Sequence, residues 1–233
     1  MDEMIDAVEL PLFPLNTVLF PGQVLPLHIF EERYRLMIRR CLAEDLPFGV
    51  VLIKRGQEVA TSEDDDAEPY TVGTVARIIE SSHLNNGTMN IVTVGVERFR
   101  IRKLLHDQPY LRGEVISLPM VDAVDDTAAQ SAATRVKEQV DRYIELISDA
   151  AGLQIQIEET PTGAQQIGYL AAITMQIDNR EKQELLGAPS VSQMLRRELA
   201  LLSRENSLLT WMSGSKEWPE SAQFGFSGTL LPN

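Results

Sequence analysis

The side chains that can do chemistry are few and scattered. The chain has one cysteine, Cys41, and three histidines, His28, His83 and His106, which lie far apart in predicted turns or at segment ends. Ser213-Gly214-Ser215-Lys216 matches the S-x-x-K spacing in which a lysine activates a serine. A nucleophile needs a rigid, partly desolvated setting, and this one is expected in a tail. Cys41 falls on the apolar face of a helical pattern and reads as a core residue. Glu63-Asp64-Asp65-Asp66-Ala67-Glu68 gathers carboxylates as calcium would require, but it lacks the glycine and distal glutamate of an EF-hand loop. It reads as a solvated loop. There is no G-x-x-x-x-G-K-[ST], H-E-x-x-H or G-x-S-x-G, so the spacing implies no phosphate cradle, zinc-protease helix or nucleophile elbow. No catalytic, cofactor or metal residue is expected. A single cysteine excludes an internal disulfide and argues against a thiolate zinc site.

Composition narrows the partners. Of 233 residues, 44% are hydrophobic and 24% charged, as in an ordinary soluble globular protein. The formal charge of −13 repels phosphates on average, so nucleic acid is not the favoured partner. A local basic cluster, Arg33, Arg35, Arg39 and Arg40, falls opposite the apolar stripe of the first helix and reads as a solvated face. No apolar run approaches the roughly 20 residues of a membrane span, and the opening lacks a signal peptide's basic n-region. A cytoplasmic chain without membrane contact is expected.

The elements are organised around Leu10 to Phe30, an apolar stretch broken by prolines and by Gly22. Prolines fix φ and remove donors, so neither a helix nor the centre of a regular sheet is expected here, only short extended pieces joined by a turn. Pro21-Gly22 suits the central positions of a type II turn. Tyr34, Met37, Ile38, Cys41 and Leu42 then fall at helical spacing over Glu31 to Leu42, with Pro47 as the stop. Burying them contributes on the order of 10 kcal/mol gross.

Phe48 to Ile53 is a continuous apolar run that predicts a strand buried on both faces. Thr71 to Ile79 and Thr88 to Ile101 predict a hairpin about Asn86-Gly87. Met89 and Ile91 share one phase and Val92, Val94 and Val96 the other, which predicts a bulge beside Gly95. Tyr110 to Ser117 reads as a closing strand, and together these suggest a small, partly closed barrel.

A polar linker over Asp122 to Asp126 leads to helical patterns. Val136, Val140, Tyr143, Ile144 and Ile147 form one stripe. Thr162 to Gln165 reads as a capping box opening a helix through Leu170 and Ile177. A short helix ends at Leu186, with Gly187 suited to C′. Ser190 to Gln193 reads as a second capping box, after which Met194, Leu195, Leu201, Leu202, Leu208 and Leu209 recur at a seven-residue interval. Three to four helices packed together are expected, with a dimer seam as the alternative. The tail from Ser213, with Trp218, Phe224 and Phe226, is either a disordered end or a docked strap.

Leu10-Pro11-Leu12-Phe13-Pro14-Leu15, Val18-Leu19-Phe20-Pro21-Gly22, Leu25-Pro26-Leu27-His28-Ile29-Phe30-Glu31 and Arg33-Tyr34 resemble the amino-terminal domain of the Lon proteases. The resemblance continues through Phe48-Gly49-Val50, Val72 to Ile78, the block Gly95, Glu97 to Ile101, Glu184 to Leu186 and Pro189 to Val191, covering most of residues 8–212. It implies an α+β chain. A PUA-like, partly closed antiparallel β-barrel with one inserted helix spans 8–119, a helical bundle spans 127–212, and a tail spans 213–233. It further implies recognition of unfolded or tagged protein segments in a protease or chaperone system, and no cofactor. The ATPase and Ser-Lys peptidase modules of full-length Lon are not among these residues, so neither activity carries over. The expected role is a non-catalytic module that grips exposed apolar segments. Candidate contacts are Phe20, Pro21, Leu25, Leu27 and Phe30 around the turn, with Arg98 and Phe99 nearby in the family's arrangement. Barrel core is the competing reading, and it is preferred for Leu25, Leu27, Phe30 and Phe99. The alternatives are an RNA-binding PUA-like protein and a small-molecule pocket between barrel and bundle.

Overall fold

The computed structural model describes residues 7–56, 68–84, 87–121, 127–151 and 161–215. Most of the acidic run at 63–68, the linker 122–126 and the residues from 216 onward, Trp218, Phe224 and Phe226 among them, lie outside these ranges.

The opening stretch forms β1 (Val8–Leu15), a turn and β2 (Val24–Ile29). Both are short extended pieces joined by the turn, as expected, and β1 runs unbroken through Pro11 and Pro14. Its first half, Val8 to Pro11, pairs antiparallel with β7 (Arg112–Ser117), and its second half, Leu12 to Leu15, pairs parallel with β3 (Phe48–Arg55). Each half is laddered on one side only, the setting in which a strand tolerates missing donors. By meeting β7 at one end and β3 at the other, β1 closes a ring. The ring continues through β6 (Met89–Leu105) and β5 (Val72–His83). The result is the expected partly closed, mostly antiparallel barrel. β4 (Glu68–Pro69) extends β3, and β2 pairs with the first half of β6.

Helix α1 (Glu32–Glu44) buries Tyr34, Met37, Ile38 and Cys41 in a cluster with Phe13, Ile29 and Phe48. Leu42, expected in the same stripe, stays exposed. Asp45 ends the helix in the left-handed region. Burial pushes the Cys41 thiol up to about 11, so the thiolate is scarce at neutral pH.

The bulge predicted beside Gly95 is present. Ala76 pairs with Gly95 but Thr74 pairs with Arg98, so β6 carries one residue more than β5 there. Gly95 is needed because the opening turn presses on it. A Cβ there would lie 2.3 Å from the Phe20 carbonyl oxygen. The turn is type II, with Gly22 at φ 82° and the Gln23 amide donating to Phe20 O at 3.1 Å. It cannot give way easily. The Phe20 amide donates to Gln23 Oε1 (3.0 Å), Thr74 Oγ1 donates to Leu19 O (2.6 Å), and Gly22 N donates to Gly95 O (2.8 Å). Gly95→Ala is therefore expected to cost about 3 kcal/mol by overpacking against fixed backbone. Urea unfolding measures this, and an unchanged midpoint would contradict the close approach.

The chain then forms α2 (Thr127–Ala151), α3 (Ala164–Thr174), α4 (Asn179–Leu186) and α5 (Val191–Ser215). The α2 stripe is buried from Val136 to Ile147 as expected. Two caps differ from expectation. Thr162 does not cap α3, whose N-cap is Gly163 with no side-chain bond, and the helix ends before Ile177. Gly187 does close α4, its amide donating to Gln183 O, but at φ −78°, so its glycine freedom is unused; at the other end Asp178 caps the helix by accepting from Arg180 N. Ser190 does cap α5, accepting from Gln193 N at 3.3 Å. α5 also runs through Ser213, whose hydroxyl donates to Leu209 O, so this serine belongs to a helix and not to a tail. Leu208 is exposed, whereas the other residues of its heptad-like set are buried. Barrel and helices share one core. Val18, Phe20, Leu52 and Val72 cluster with Val140, Tyr169 and Leu195, and the Phe20 and Tyr169 rings lie 6.2 Å apart.

Candidate functional site

The expected contact residues do not form one surface. Phe20 packs into the core between barrel and helices, Leu25 into the cluster beneath α1, and Phe99 into a third cluster with Leu10, Leu12, Val51 and Val115. Pro21 and Leu27 are half-buried. Phe30 is 51% exposed and stacks on His28 at a centroid distance of 6.2 Å. Phe20, Leu25, Arg98 and Phe99 are buried and offer a partner little surface, which favours a structural part for them in this fold. Phe30 faces solvent.

Arg98 has a definite task. It is only 3% exposed, and its Nη1 donates to Leu186 O (2.6 Å) and Ala188 O (2.7 Å), the carbonyls at the end of α4. Burial lowers its pKa, the Tyr169 phenol opposes the drop and Arg100 adds to it. A guanidinium keeps its charge under such a shift. It thus binds the carboxyl end of a helix, where the backbone dipole and unused carbonyls favour a cation. Nearby, Gln183 Nε2 of α4 donates to Val72 O (2.9 Å), a second polar tie between barrel and helices.

The surface available to a partner lies on the three-stranded wing formed by β2, the first half of β6 and the second half of β5. Leu25 and Ile29 of β2, with Met89, Ile91 and Thr93 of β6, turn inward. By alternation the opposite face carries Val24, Pro26 and His28 beside Val94, Val92 and Asn90, the residues with which they pair. Arg77, Glu80 and Ser82 of β5 flank the same rows. Val24, Val92 and Val94 are half-exposed, Pro26 is exposed, and Val96 continues the phase at 45% exposure. His28 Nδ1 and Asn90 Oδ1 close the row at 2.6 Å. This is an aliphatic stripe with charged and hydrogen-bonding margins. Among the described residues β2 pairs with β6 alone, and Pro26 in the middle of that edge offers no donor. Such a face is suited to side-chain burial more than to the addition of a strand. The signal for it lies in the sequence, where three valines share the phase opposite to Met89 and Ile91, but a change of phase predicts a bulge and does not say which face stays uncovered.

Among the described residues no group of three or more His, Cys, Asp or Glu is placed to hold a metal ion, and no helix is long and apolar enough to cross a membrane.

Residues 9–204 match the family model of the ATP-dependent protease La (LON) substrate-binding domain. The chain belongs to this family. Its relatives include the Lon protease of Anaeromyxobacter dehalogenans, 29% identical over 201 residues covering 86% of this chain and 24% of that protease. Lon protease 2 of Myxococcus xanthus is 28% identical over the same length and coverage. The chain therefore spans about a quarter of the length of these Lon proteases. Among solved structures, the Lon N-terminal domain protein from Xanthomonas campestris superimposes with a TM-score of 0.61 at 26% identity, covering 83% of this chain and 98% of that one. The N-terminal domain of the Mycobacterium avium complex Lon protease gives a TM-score of 0.56 at 19% identity, covering 86% and 98%, and likens the fold alone. The part of Lon that is matched is the substrate-binding domain. In this Lon domain the quoted motifs are chiefly core. Gly95, Arg98 and Phe99 hold the turn, the helical end and the barrel interior.

Proposed function

We propose that this Lon substrate-binding domain is a non-catalytic module that holds exposed apolar segments of unfolded or tagged proteins on the outer face of the β2, β6 and β5 wing, in the service of a protease or chaperone system. The observation that carries this reading is the uncovered stripe of Val24, Pro26, Val92, Val94 and Val96, continued through His28 to Phe30. Apolar surface left open on a sheet face marks a place where another chain gains burial, about 25 cal/mol for each Å² covered. An extended client with apolar side chains at alternate positions matches the period of the face. The relatives in which this domain occurs are Lon proteases, which gives the binding a proteolytic context.

The experiment measures binding of a fluorescent, permanently unfolded apolar client to the wild type, to Val92→Glu/Val94→Glu and to Phe30→Ala. The double glutamate variant is expected to lose at least tenfold in affinity with its unfolding midpoint nearly unchanged, because both side chains face outward. Phe30→Ala is expected to lose a few fold. A wild type that retains no denatured client or apolar peptide would defeat the proposal. Salt-sensitive RNA retention on a filter would favour the nucleic-acid alternative, against the charge of −13.

A further inference from the structure

The helical region contains an acid that none of the roles above uses. Glu198 of α5 is 0% exposed, and neither carboxyl oxygen has a hydrogen-bond partner. It lies one turn from Met194, Leu195 and Leu202, all wholly buried, so it belongs to the apolar face of α5. Across from it is Gly168 of α3. A Cβ there would lie 2.2 Å from Met194 Cε and 3.3 Å from Glu198 Oε2. The glycine lets α3 settle directly onto the carboxyl, with no room for a charged partner between them.

The elements packed on α5 are α2, α3 and α4. Most of their titratable groups are engaged elsewhere or turned outward, and the two half-buried lysines, Lys137 and Lys182, have no ion pair with Glu198. On α2, Arg135, Glu138, Asp141, Arg142, Glu145 and Asp149 are exposed and Lys137 is half-exposed, while the Tyr143 hydroxyl accepts from Gln176 N. On α3, Tyr169 accepts from Gln165 Nε2. On α4, Glu181 pairs with Arg204 and Glu184 with Arg197, Arg180 is exposed, and Lys182 is half-buried. Among the described residues no charge compensates the acid, and burial acts on its titration, raising it well above the ordinary value.

We propose that Glu198 is held as the neutral acid in the packed helices, so that the seating of α3 on α5 is a proton-dependent latch that loosens as the pH rises. A lone carboxylate in an apolar contact is far costlier than the neutral acid, so ionisation requires α3 to lift away. The sign follows from linkage. An acid titrating higher when packed than when exposed contributes its full stability below its exposed value, about 4.3, and loses it as the pH climbs toward the packed value. Within that window the opening equilibrium rises about tenfold for each pH unit.

Two measurements on the whole chain test this. In the wild type, the carboxyl ¹³C shift of Glu198 is expected to stay at the protonated position through the ordinary carboxylate range, and titration near 4.3 would overturn the proposal. Hydrogen exchange of the α3 amides, corrected for intrinsic rates, is expected to give an opening equilibrium that climbs about tenfold per pH unit in the wild type. It is expected to be flat in Glu198→Gln and in the volume-matched Glu198→Met. Equal slopes in wild type and variants would also overturn it. If neither variant folds, the wild-type ¹³C titration alone decides.

Discussion

Replacing Arg98 with alanine is expected to remove about 3–6 kcal/mol of folding free energy, the sum of two hydrogen bonds from a charged donor at about 1.5–3 kcal/mol each. The bonds run from Nη1 to Leu186 O and Ala188 O, and losing them leaves both carbonyls at the α4 end without their cation. The tie also crosses from β6 to α4, so its loss acts on the docking of helices against the barrel as well as on one strand. Urea unfolding should report the loss. Protease cleavage within residues 118–127, between β7 and α2, should appear sooner than in the wild type. Arg98→Lys is expected to recover part of the stability, because an ammonium can also donate to two carbonyls from one nitrogen but on a shorter stem. A variant that kept full stability while losing client binding would return Arg98 to the contact role that the family resemblance implied.

Phe99→Ala is expected to cost about 3–5 kcal/mol, the range for emptying a wholly buried aromatic site. The ring is wedged between two strands that carry glycine opposite it. A Cβ at Gly49 or Gly73 would lie 2.7 Å from Phe99 Cζ. This geometry makes a sharper forecast than the single variant. Gly49→Ala alone should destabilise by overpacking. In the Phe99→Ala background the same methyl enters vacated space, and the other atom close to it is the end of a flexible side chain, Leu12 Cδ2, at 2.8 Å. The two changes should therefore couple favourably by about 1–3 kcal/mol in a double-mutant cycle. Additive effects would mean that ring and glycine do not share the space. At Gly73 no such rescue is expected, because the Val50 carbonyl oxygen, part of the backbone, stands 2.5 Å from the added carbon.

Much of the architecture was legible because the signals that specify it are local. Pro21-Gly22 named its own turn, the phase slip around Gly95 named the bulge, and the helical stripes of α1 and α2 came from spacing alone. Elsewhere a local signal was not enough. Pro11 and Pro14 argued against the centre of a regular sheet, yet β1 lies between β7 and β3, which each take one half of it and leave the other side free of ladder bonds. Thr162 had the spacing of a cap, but the chain entered α3 at Gly163 instead. Leu208 kept the heptad interval and still faces solvent, because the interval fixes a direction on the helix and not what lies beyond it.

The candidate surface was less legible, for the same reason. An apolar residue on a strand can be core or contact, and only the partner across the sheet decides which. Phe20, Leu25 and Phe99 are enclosed by elements far along the chain, and Arg98 spends its charge on carbonyls about 90 residues away. Val92 and Val94, of the same residue type as the buried Val50 and Val51, are left half-open because nothing among the described residues covers that wing. The order of residues by itself settled the Pro21-Gly22 turn, the periodicities, the acidic balance and the family, while Asn86 of the expected hairpin turn lies outside the described residues. The tertiary structure alone settled which apolar and charged side chains are enclosed, since burial depends on contacts between segments distant in sequence, and no local spacing encodes those.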